Sequence, residues 1–378
     1  MEPLRIAMVA GEASGDLLAG LLLQGMHARW PGLQAQGIGG PRMKAQGFDE
    51  WWPHDKLAVR GYVEVLMHYR EIVGIRKQLA QRLLADPPRA FIGVDAPDFN
   101  LDLEGQLREK GVKTVHFICP SIWAWRADRV HKIKRCADHV LCVFPFEPEL
   151  LHSHGIGATY VGHPLANVIP MEPDKAAARA ALGLAADDEV LAVLPGSRGS
   201  EVKYHASLFF EAAALAATSR PGLKIVVPAM PAFKSAIEEA ARFAGLKDAL
   251  IVEGQSHAVL AACDVTLIAS GTATLEAALF KRPMVISYAM NWLTYRMMKP
   301  HQVLPWFGLP NILLREFAVP ELIQQDATPP ALAQALLDWL QAPERMAAVQ
   351  DKFRALHVLL QRDTAQLATD AIDKVIHA

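Results

Sequence analysis

The stretch "VLAVLPGSRGSEV", residues 190–202, contains the unit from which the predicted fold is built. Its five apolar residues, ending at Leu194, predict a short buried strand. The proline, glycines and serines that follow predict a turn that leads into a helix. A buried strand followed by a tight turn and a helix is the repeating unit of parallel α/β domains.

The same alternation recurs along the chain in two blocks. The predicted strands are 4–10, 34–38, 90–95, 113–118, 139–144 and 158–161 in the first block, and 189–194, 223–228, 249–252, 264–269 and 283–288 in the second. Between the blocks, "VGHPLANVIPMEPDK" at 161–175 contains three prolines and predicts a linker. We therefore expect an α/β protein with two Rossmann-like domains, 1–165 and 166–345, facing each other across a cleft. The helices of 346–378 are expected to pack back on the first domain.

Composition narrows the class of protein. Lys plus Arg number 38 against 40 for Asp plus Glu, a balance that argues against a general nucleic-acid binder. The four cysteines lack C-x-x-C spacing, so we expect reduced thiols and no zinc site or disulfide. No signal peptide and no run of about 18 apolar residues is found. Hydrophobic residues make up 52% of the chain, which is a high share for a soluble protein. Because no membrane span is predicted, any membrane contact is expected at the surface of a cytoplasmic protein.

Two glycine loops of the second block are candidate phosphate sites. Gly196, Ser197 and Arg198 follow a predicted strand, where amides at a helix start and a guanidinium suit a phosphate. The alternative is an exposed arginine on a surface turn. In "IASGTATLEAAL", residues 268–279, the sequence Ser270–Gly271–Thr272 opens a helix and Glu276 follows within about a turn. These residues either cap the helix or hold a diphosphate, with Glu276 on a ribose. We therefore expect the second domain to bind a nucleotide.

The first block has two polar strand ends. "AGEASGD" at 10–16 lacks the G-x-G-x-x-G dinucleotide pattern, and Glu12 would repel a pyrophosphate. Glu12 is expected to line a site opposite a sugar, with a plain turn as the alternative. "FIGVDAPDFN" at 91–100 places Asp95 and Asp98 around a proline, which indicates either a turn or a ligand site. Asp102 and Glu104 have the spacing of a D-x-D motif, which binds a divalent cation in other proteins. They are expected in the following helix, so no metal site is predicted.

Six motifs in order carry a family resemblance. They are "VAGEASGD", "GVDAPDFN", "PSIWAWR", "LPGSRGSE", "SGTATLE" and "LPN", spread from Val9 to Asn311. Together they resemble the lipid-A-disaccharide synthase family. The resemblance implies the GT-B fold and an inverting glycosyltransferase without cofactor or metal. It implies transfer of the sugar of UDP-2,3-diacylglucosamine to the 6-hydroxyl of 2,3-diacylglucosamine 1-phosphate, giving a β-1,6 disaccharide and UDP.

The resemblance also implies residue roles. It makes Asp95 the general base. From their positions in the loops, we expect Asp98 to support the Asp95 loop or cap the next helix, and Glu12 to belong to the catalytic site. Asn311 becomes a UDP contact, with turn chemistry as the alternative. Three rival functions stay open: another GT-B enzyme with a different lipid-linked acceptor, a UDP-sugar epimerase, and a non-catalytic nucleotide-sugar scaffold.

Two basic segments are candidates for lipid contact. Val63, Leu66 and Met67 lie in a basic amphipathic stretch that suits an anionic membrane face or, alternatively, buries an ordinary helix stripe. Arg126 and Arg129 follow a tryptophan pair and could meet the acceptor phosphate or lipid headgroups, or form a solvated helix face. We expect peripheral association with the cytoplasmic face of the inner membrane. A homodimer stays open.

Overall fold

The computed structural model describes residues 3–57, 62–124 and 127–378. Its strands are β1 (Arg5–Ala10), β2 (Gln34–Gly39), β3 (Asp49–Pro53), β4 (Ala90–Val94), β5 (Lys113–Phe117), β6 (His139–Cys142), β7 (Gly157–Tyr160), β8 (Val190–Leu194), β9 (Lys224–Ala229), β10 (Leu250–Glu253), β11 (Val265–Ala269), β12 (Met284–Tyr288) and β13 (Glu321–Ile323).

Helices separate the strands, as the sequence pattern predicts. They are α1 (Ala13–Arg29), α2 (Pro41–Lys44), α3 (Tyr62–Ala85), α4 (Pro97–Arg108), α5 (Val130–Cys136), α6 (Glu147–Ser153), α7 (Leu165–Val168), α8 (Lys175–Ala181), α9 (Gly199–Ser219), α10 (Lys234–Phe243), α11 (Ser256–Ala262), α12 (Thr272–Leu279), α13 (Trp292–Met298), α14 (Leu309–Leu314), α15 (Pro329–Leu340), α16 (Pro343–Leu360) and α17 (Thr364–His377). Short 3-10 turns cover His54–Lys56, Ala127–Arg129, Pro231–Phe233, Lys299–His301 and Gln324–Asp326.

The chain forms two compact units. The first contains Met1–Pro164 and Leu360–Ala378, and the second contains Leu165–Leu359. The first has a parallel sheet of order β3-β2-β1-β4-β5-β6-β7, and the second a parallel sheet of order β10-β9-β8-β11-β12-β13. Both orders are those of a doubly wound Rossmann domain, in which the strand order reverses at one point in the sheet. That point lies between β1 and β4 in the first unit and between β8 and β11 in the second.

The C-terminal helices divide differently from the expected boundary at 346. Most of α16 belongs to the second unit, where buried His357 approaches the carbonyl oxygen of Ala166 at 2.8 Å. Helix α17 packs on α1 of the first unit, as expected for the end of the chain. Helices α1 and α17 approach closely. A Cβ added at Gly25 of α1 would lie 2.8 Å from the Cβ of Ala365 of α17.

Each sheet has a strongly buried interior. β4 and β8 are buried at every residue, which fits strands covered by helices on both faces. All four cysteines are free and buried. Within the described residues, no helix is both long and apolar enough to cross a bilayer.

Candidate active site

The two glycine loops of the second unit lie side by side. Leu194, near the end of β8, pairs with Ile268 of β11, so the loops that follow these strands emerge at the reversal point of the sheet. Ligands of doubly wound domains bind at this position, beyond the carboxyl ends of the strands. The sheet therefore brings together the two segments that the sequence analysis assigned to phosphate.

The loop after β8 directs backbone N–H groups at a negative charge. Gly196 has a φ of +127°, and a Cβ there would lie 2.3 Å from the Cβ of Glu201, so only glycine fits. The Ser197 and Arg198 amides donate to Oε2 of Glu201 at 2.9 and 3.3 Å. These donors lie at the start of α9, where the helix dipole also favours an anion.

Glu201 is a residue that the sequence analysis missed. Its Oε1 accepts from the Arg198 guanidinium at 3.3 Å, while 55% of the arginine side chain stays exposed. A carboxylate three residues into a helix is the signature of a capping box, and that signal was present in the sequence. A phosphate that enters this loop would compete with Glu201 for the same donors.

The loop after β11 is held by local hydrogen bonds. The Ser270 hydroxyl donates to the carbonyl oxygen of Phe307 at 3.1 Å. Thr274 is buried, and its hydroxyl donates to the carbonyl oxygen of Gly271 at 2.7 Å. This bond fits the interpretation of the loop as a helix cap.

A cavity of about 330 Å³ opens between these loops. Its lining includes seven of the residues predicted to bind UDP: Gly196, Ser197, Arg198, Ser270, Gly271, Thr272 and Glu276. The carboxylate of Glu276 lies 3.2 Å from Nε2 of His257, whose ring packs edge-on against Phe280 at 5.2 Å. His257 therefore orients Glu276, a role that no local sequence pattern indicated.

Asn311 lies outside this lining. Its buried side chain donates to the carbonyl oxygen of Val319 at 2.9 Å and to Glu321 at 2.8 Å, and accepts from the Val319 amide at 3.0 Å. Glu321 also accepts from the amides of Phe307 and Gly308, both at 2.8 Å. Asn311 thus fixes the segment whose Phe307 carbonyl receives the Ser270 hydroxyl.

In the first unit, Asp95 has an unusual backbone conformation. Asp95 and Ala96 both lie in the left-handed region, with φ values of +53° and +43°. Such conformations cost energy outside glycine and concentrate at functional sites. The Asp95 amide donates to the carbonyl oxygen of Phe117 at 2.9 Å, and the Asn100 side chain donates to the Asp95 carbonyl at 2.8 Å. These bonds hold the half-buried aspartate at the end of β4.

Glu12 follows the neighbouring strand β1, which pairs with β4. A Cβ added at Gly11 would lie 3.2 Å from the Cβ of Ala96, so the two strand-end loops are in contact. Glu12 occupies the N-cap position of α1 without a side-chain capping bond. The structure therefore places Glu12 and Asp95 on adjacent loops at the reversal point of the first sheet.

Asp98 is engaged by the basic segment. Its Oδ1 accepts from the Arg129 guanidinium at 2.7 Å on an exposed surface. It does not cap α4, because Ala96 holds the N-cap position and makes no side-chain bond there. The capping prediction for Asp98 is thus wrong. Asp102 lies inside α4, as predicted, with Arg76 and Lys132 at 2.6 and 2.5 Å.

A buried ionisable pair lies beneath the Asp95 loop. Nδ1 of His116 on β5 approaches Oε1 of Glu104 on α4 at 2.7 Å, and both side chains are fully buried. Burial raises the pKa of the Glu104 carboxyl. Burial alone lowers the pKa of His116, but Glu104 and then Asp95 raise it, and the net shift is upward. Both upward pKa shifts favour the protonated forms of a pair that lies close to Asp95 in a low-dielectric setting.

The sequence of the chain matches those of known proteins. A family model described as lipid-A-disaccharide synthetase matches residues 6–375. The lipid-A-disaccharide synthase of Albidiferax ferrireducens is 63% identical over 99% of this chain and 97% of its own. That of Burkholderia pseudomallei is 52% identical over 100% of this chain and 97% of its own.

The chain belongs to the lipid-A-disaccharide synthase family. This confirms the resemblance carried by the six motifs. As a member of the synthase family, the chain is a glycosyltransferase of lipid A biosynthesis. Membership does not favour the rival epimerase or scaffold functions.

Solved structures show the fold of this synthase-family chain. The UDP-GlcNAc 2-epimerase of Neisseria meningitidis, bound to UDP-GlcNAc, has a TM-score of 0.65 at 10% identity and covers 99% of this chain and 100% of its own. MurG of Acinetobacter baumannii has a TM-score of 0.57 at 15% identity, covering 98% and 99%. The predicted GT-B fold of two Rossmann-like domains is thus confirmed.

The synthase motif "PSIWAWR" has a structural role at its first tryptophan. The Trp123 indole donates to Oε1 of fully buried Glu147 at 2.9 Å, and Oε2 accepts from the Phe144 amide at 2.9 Å. The Trp123 ring packs edge-on against Phe144 and Phe146 at 5.9 and 5.4 Å. Burial raises the pKa of Glu147 to about 8. This cluster fixes the segment that precedes the basic residues.

Several predicted contacts cannot be placed. Arg126 lies outside the described residues. The side chains of Val63, Leu66 and Met67 also lie outside the described part of the structure, although their backbone belongs to α3. Among the described residues, no group of three or more His, Cys, Asp or Glu side chains is arranged to hold a metal ion.

Proposed function

We propose that the cavity of the second unit binds the UDP part of UDP-2,3-diacylglucosamine, and that its sugar passes to the 6-hydroxyl of 2,3-diacylglucosamine 1-phosphate. The products would be UDP and the β-1,6-linked disaccharide 1-phosphate. The observation that carries the proposal is the convergence of seven predicted UDP residues on one cavity. Family membership supports the reaction.

The diphosphate would occupy the place of the Glu201 carboxylate. The Ser197 and Arg198 amides already donate to that carboxylate, and a phosphate oxygen accepts from the same donors. The Arg198 guanidinium adds a permanent positive charge for the oxygen that departs with UDP. Glu276, oriented by His257, would accept from the ribose hydroxyls.

Asp95 would act as the general base. As the acceptor oxygen attacks the anomeric carbon, its proton passes to the Asp95 carboxylate and the bond from that carbon to the UDP oxygen breaks. Attack from the side opposite UDP inverts the anomeric configuration. Asp95 is supported by its strained backbone, its fixed loop and the adjacent Glu12 loop. Asp98 would keep Arg129 in position.

The acceptor side would face lipid. We assign Arg129 and Arg126 to the acceptor phosphate or headgroups, and Val63, Leu66 and Met67 to a peripheral contact with the cytoplasmic face of the inner membrane. The acyl chains of both substrates support a membrane-surface location for the reaction. Neither assignment requires a metal or cofactor.

Replacing Arg198 tests the cavity assignment. Arg198→Ala should weaken UDP binding by about 10- to 100-fold, because a charge-assisted bond contributes roughly 1.5–3 kcal/mol. Isothermal titration with UDP measures this directly, and a UDP-release assay with both lipid substrates should show a matching loss. Lys203→Ala is the matched control, since it removes an exposed cation from α9 outside the cavity lining.

Three results would contradict the proposal in different ways. Equal UDP affinity in Arg198→Ala and Lys203→Ala would remove the nucleotide from this cavity. Binding of UDP without disaccharide formation by the wild-type protein would favour a scaffold. Interconversion of UDP-sugars without UDP release would favour an epimerase.

A further inference from the structure

The segment Trp292–Val303 of the second unit combines exposed apolar and basic side chains. Trp292, Met297 and Val303 are exposed by 65%, 67% and 55%. Exposed large apolar side chains that are close together in the chain are candidates for a contact site. The function described above uses none of them.

The segment carries cationic side chains and no carboxylate of its own. Residues 277–315 contain no aspartate or glutamate. Three cations of this stretch, Arg296, Lys299 and Arg315, are exposed. Each cation near an anionic layer adds to the attraction between the segment and that layer.

Aromatic and basic side chains are paired in the segment. The Arg296 guanidinium lies 5.3 Å from the centre of the Trp292 ring, and the Lys299 ammonium 5.7 Å from that of Tyr295. Trp and Tyr favour the boundary between headgroups and acyl chains, where one end of the ring is apolar and the other wet. Arginine and lysine beside them would reach the headgroups.

The segment is also continuous with the nucleotide cavity. It follows β12, the neighbour of β11, at the carboxyl edge of the same sheet. The chain then reaches Phe307, whose carbonyl oxygen accepts from the Ser270 hydroxyl of the cavity lining. A surface that docks here would keep the donor cavity close to the layer from which a lipid-linked donor comes.

We propose that Trp292–Val303 is a membrane-docking surface of the second unit, which inserts Trp292 and Met297 into a bilayer and sets Arg296 and Lys299 against anionic headgroups. This surface is separate from the one predicted around Val63 in the first unit. It goes beyond the proposed function and does not depend on the roles of Asp95 or Arg198.

Vesicle flotation tests the proposal with the full-length protein. The probes are phosphatidylcholine vesicles with and without phosphatidylglycerol. The double variant Trp292→Ser/Met297→Ser should lower the partition coefficient on the anionic vesicles by about tenfold or more, because it removes two large exposed apolar side chains. Arg296→Gln and Lys299→Gln should each lower it about fivefold on anionic vesicles and change little on neutral ones.

Phe243→Ser provides a matched control. Phe243 is exposed by 79% at the end of α10, and the Arg242 guanidinium lies 5.8 Å from its ring, so it reproduces an exposed aromatic beside an arginine. It should leave partitioning unchanged. Equal losses in Phe243→Ser and in the double variant would overturn the proposal, as would unchanged partitioning of the double variant.

Two further readouts separate other occupants of the surface. If size-exclusion chromatography shows that the wild type is a dimer that the double variant dissociates, the surface is a protein interface and the proposal is wrong. UDP release from detergent-dispersed substrates, without vesicles, should be the same in wild type and double variant. A loss there would assign the surface to substrate acyl chains instead. Failure of UDP release in the wild type would count against the proposed function alone.

Discussion

Buried Glu147 makes the stability of the first unit depend on pH. Its carboxyl is fully buried under Trp123 and the Phe144 amide, and burial raises its pKa to about 8 from an ordinary 4.5. Between these two values the folded chain holds a proton that the unfolded chain releases. The stabilisation from this proton is complete below about pH 4.5 and is lost as the pH rises through about 8.

Glu147→Gln should therefore flatten the decline of stability between pH 5 and pH 8. The decline attributable to Glu147 is at most about 1.4 kcal/mol per pH unit. At pH 5 the variant should be less stable than the wild type, because an amide NH₂ replaces one of two acceptor oxygens. Urea unfolding followed by tryptophan fluorescence at several pH values measures both effects.

His163 also makes the stability of the first unit depend on pH, in the opposite direction to Glu147. Its ring stacks on Phe144 at 5.6 Å, and burial lowers its pKa to about 4. Its contribution to stability therefore rises with pH between about 4 and 6.5, opposite to that of Glu147. Only the difference between wild type and Glu147→Gln isolates the glutamate. Parallel curves for the two proteins would contradict the assigned pKa.

The sequence predicted the site residues that follow strands. It did not predict the residues that contact them from other elements. Gly196 and Arg198 stand directly after a predicted strand, so a general rule on α/β sheets assigned them to a site. His257 and Glu104 gain their roles from partners on other elements. No local spacing in the chain reports those contacts.

At the scale of elements, the packing of β4 on α4 supports the Asp95 loop. A Cβ added at Gly93 would lie 2.2 Å from Oε1 of Glu104 and 2.8 Å from the Cβ of Asn100. Asn100 in turn donates to the Asp95 carbonyl. The absence of a side chain at Gly93 thus allows the strand, the buried pair and the loop to fit together.

Gly93→Ala should accordingly destabilise the first unit by about 1–3 kcal/mol, the usual effect of an overpacked core. It should also lower the transfer rate, since a displaced Asn100 frees the Asp95 loop. Thermal unfolding and the UDP-release assay measure the two effects.

Gly74→Ala is the control for this prediction. Gly74 lies within α3 with nothing within 4 Å of an added Cβ, so alanine should stabilise the helix by roughly 0.5–1 kcal/mol. If both alanine variants unfold at the same temperature as the wild type, the tight contact at Gly93 has no energetic effect and the account of the β4–α4 packing is wrong.

Most strands were predicted with ends shifted by at most two residues, because long apolar runs between helical patterns are strong signals. β3 and β13 were missed for a physical reason. Both are edge strands: β3 is only partly buried, and β13 has three residues. Edge strands need little apolar sequence, so composition does not distinguish them from loops.

At the scale of the whole molecule, the chain contains two doubly wound domains whose central loops carry different polar groups. Each unit has a single reversal point in its strand order, and polar loops follow both central strands there. The second unit presents amides and an arginine, which suit a diphosphate. The first presents Glu12 and Asp95, which suit a hydroxyl that must lose a proton. The sequence indicated this division, because the motifs of each kind fall in separate blocks.

We propose that Asp95 removes the acceptor proton while the second unit holds UDP. The most direct measurement compares disaccharide formation and UDP release by the wild type, Asp95→Asn and Asp98→Asn, with UDP binding measured for each. We predict that Asp95→Asn loses about 10²- to 10⁴-fold in kcat with unchanged UDP affinity, whereas Asp98→Asn loses far less. A folded Asp95→Asn variant that binds UDP and forms the β-1,6 disaccharide at the wild-type rate would show that Asp95 is not the general base.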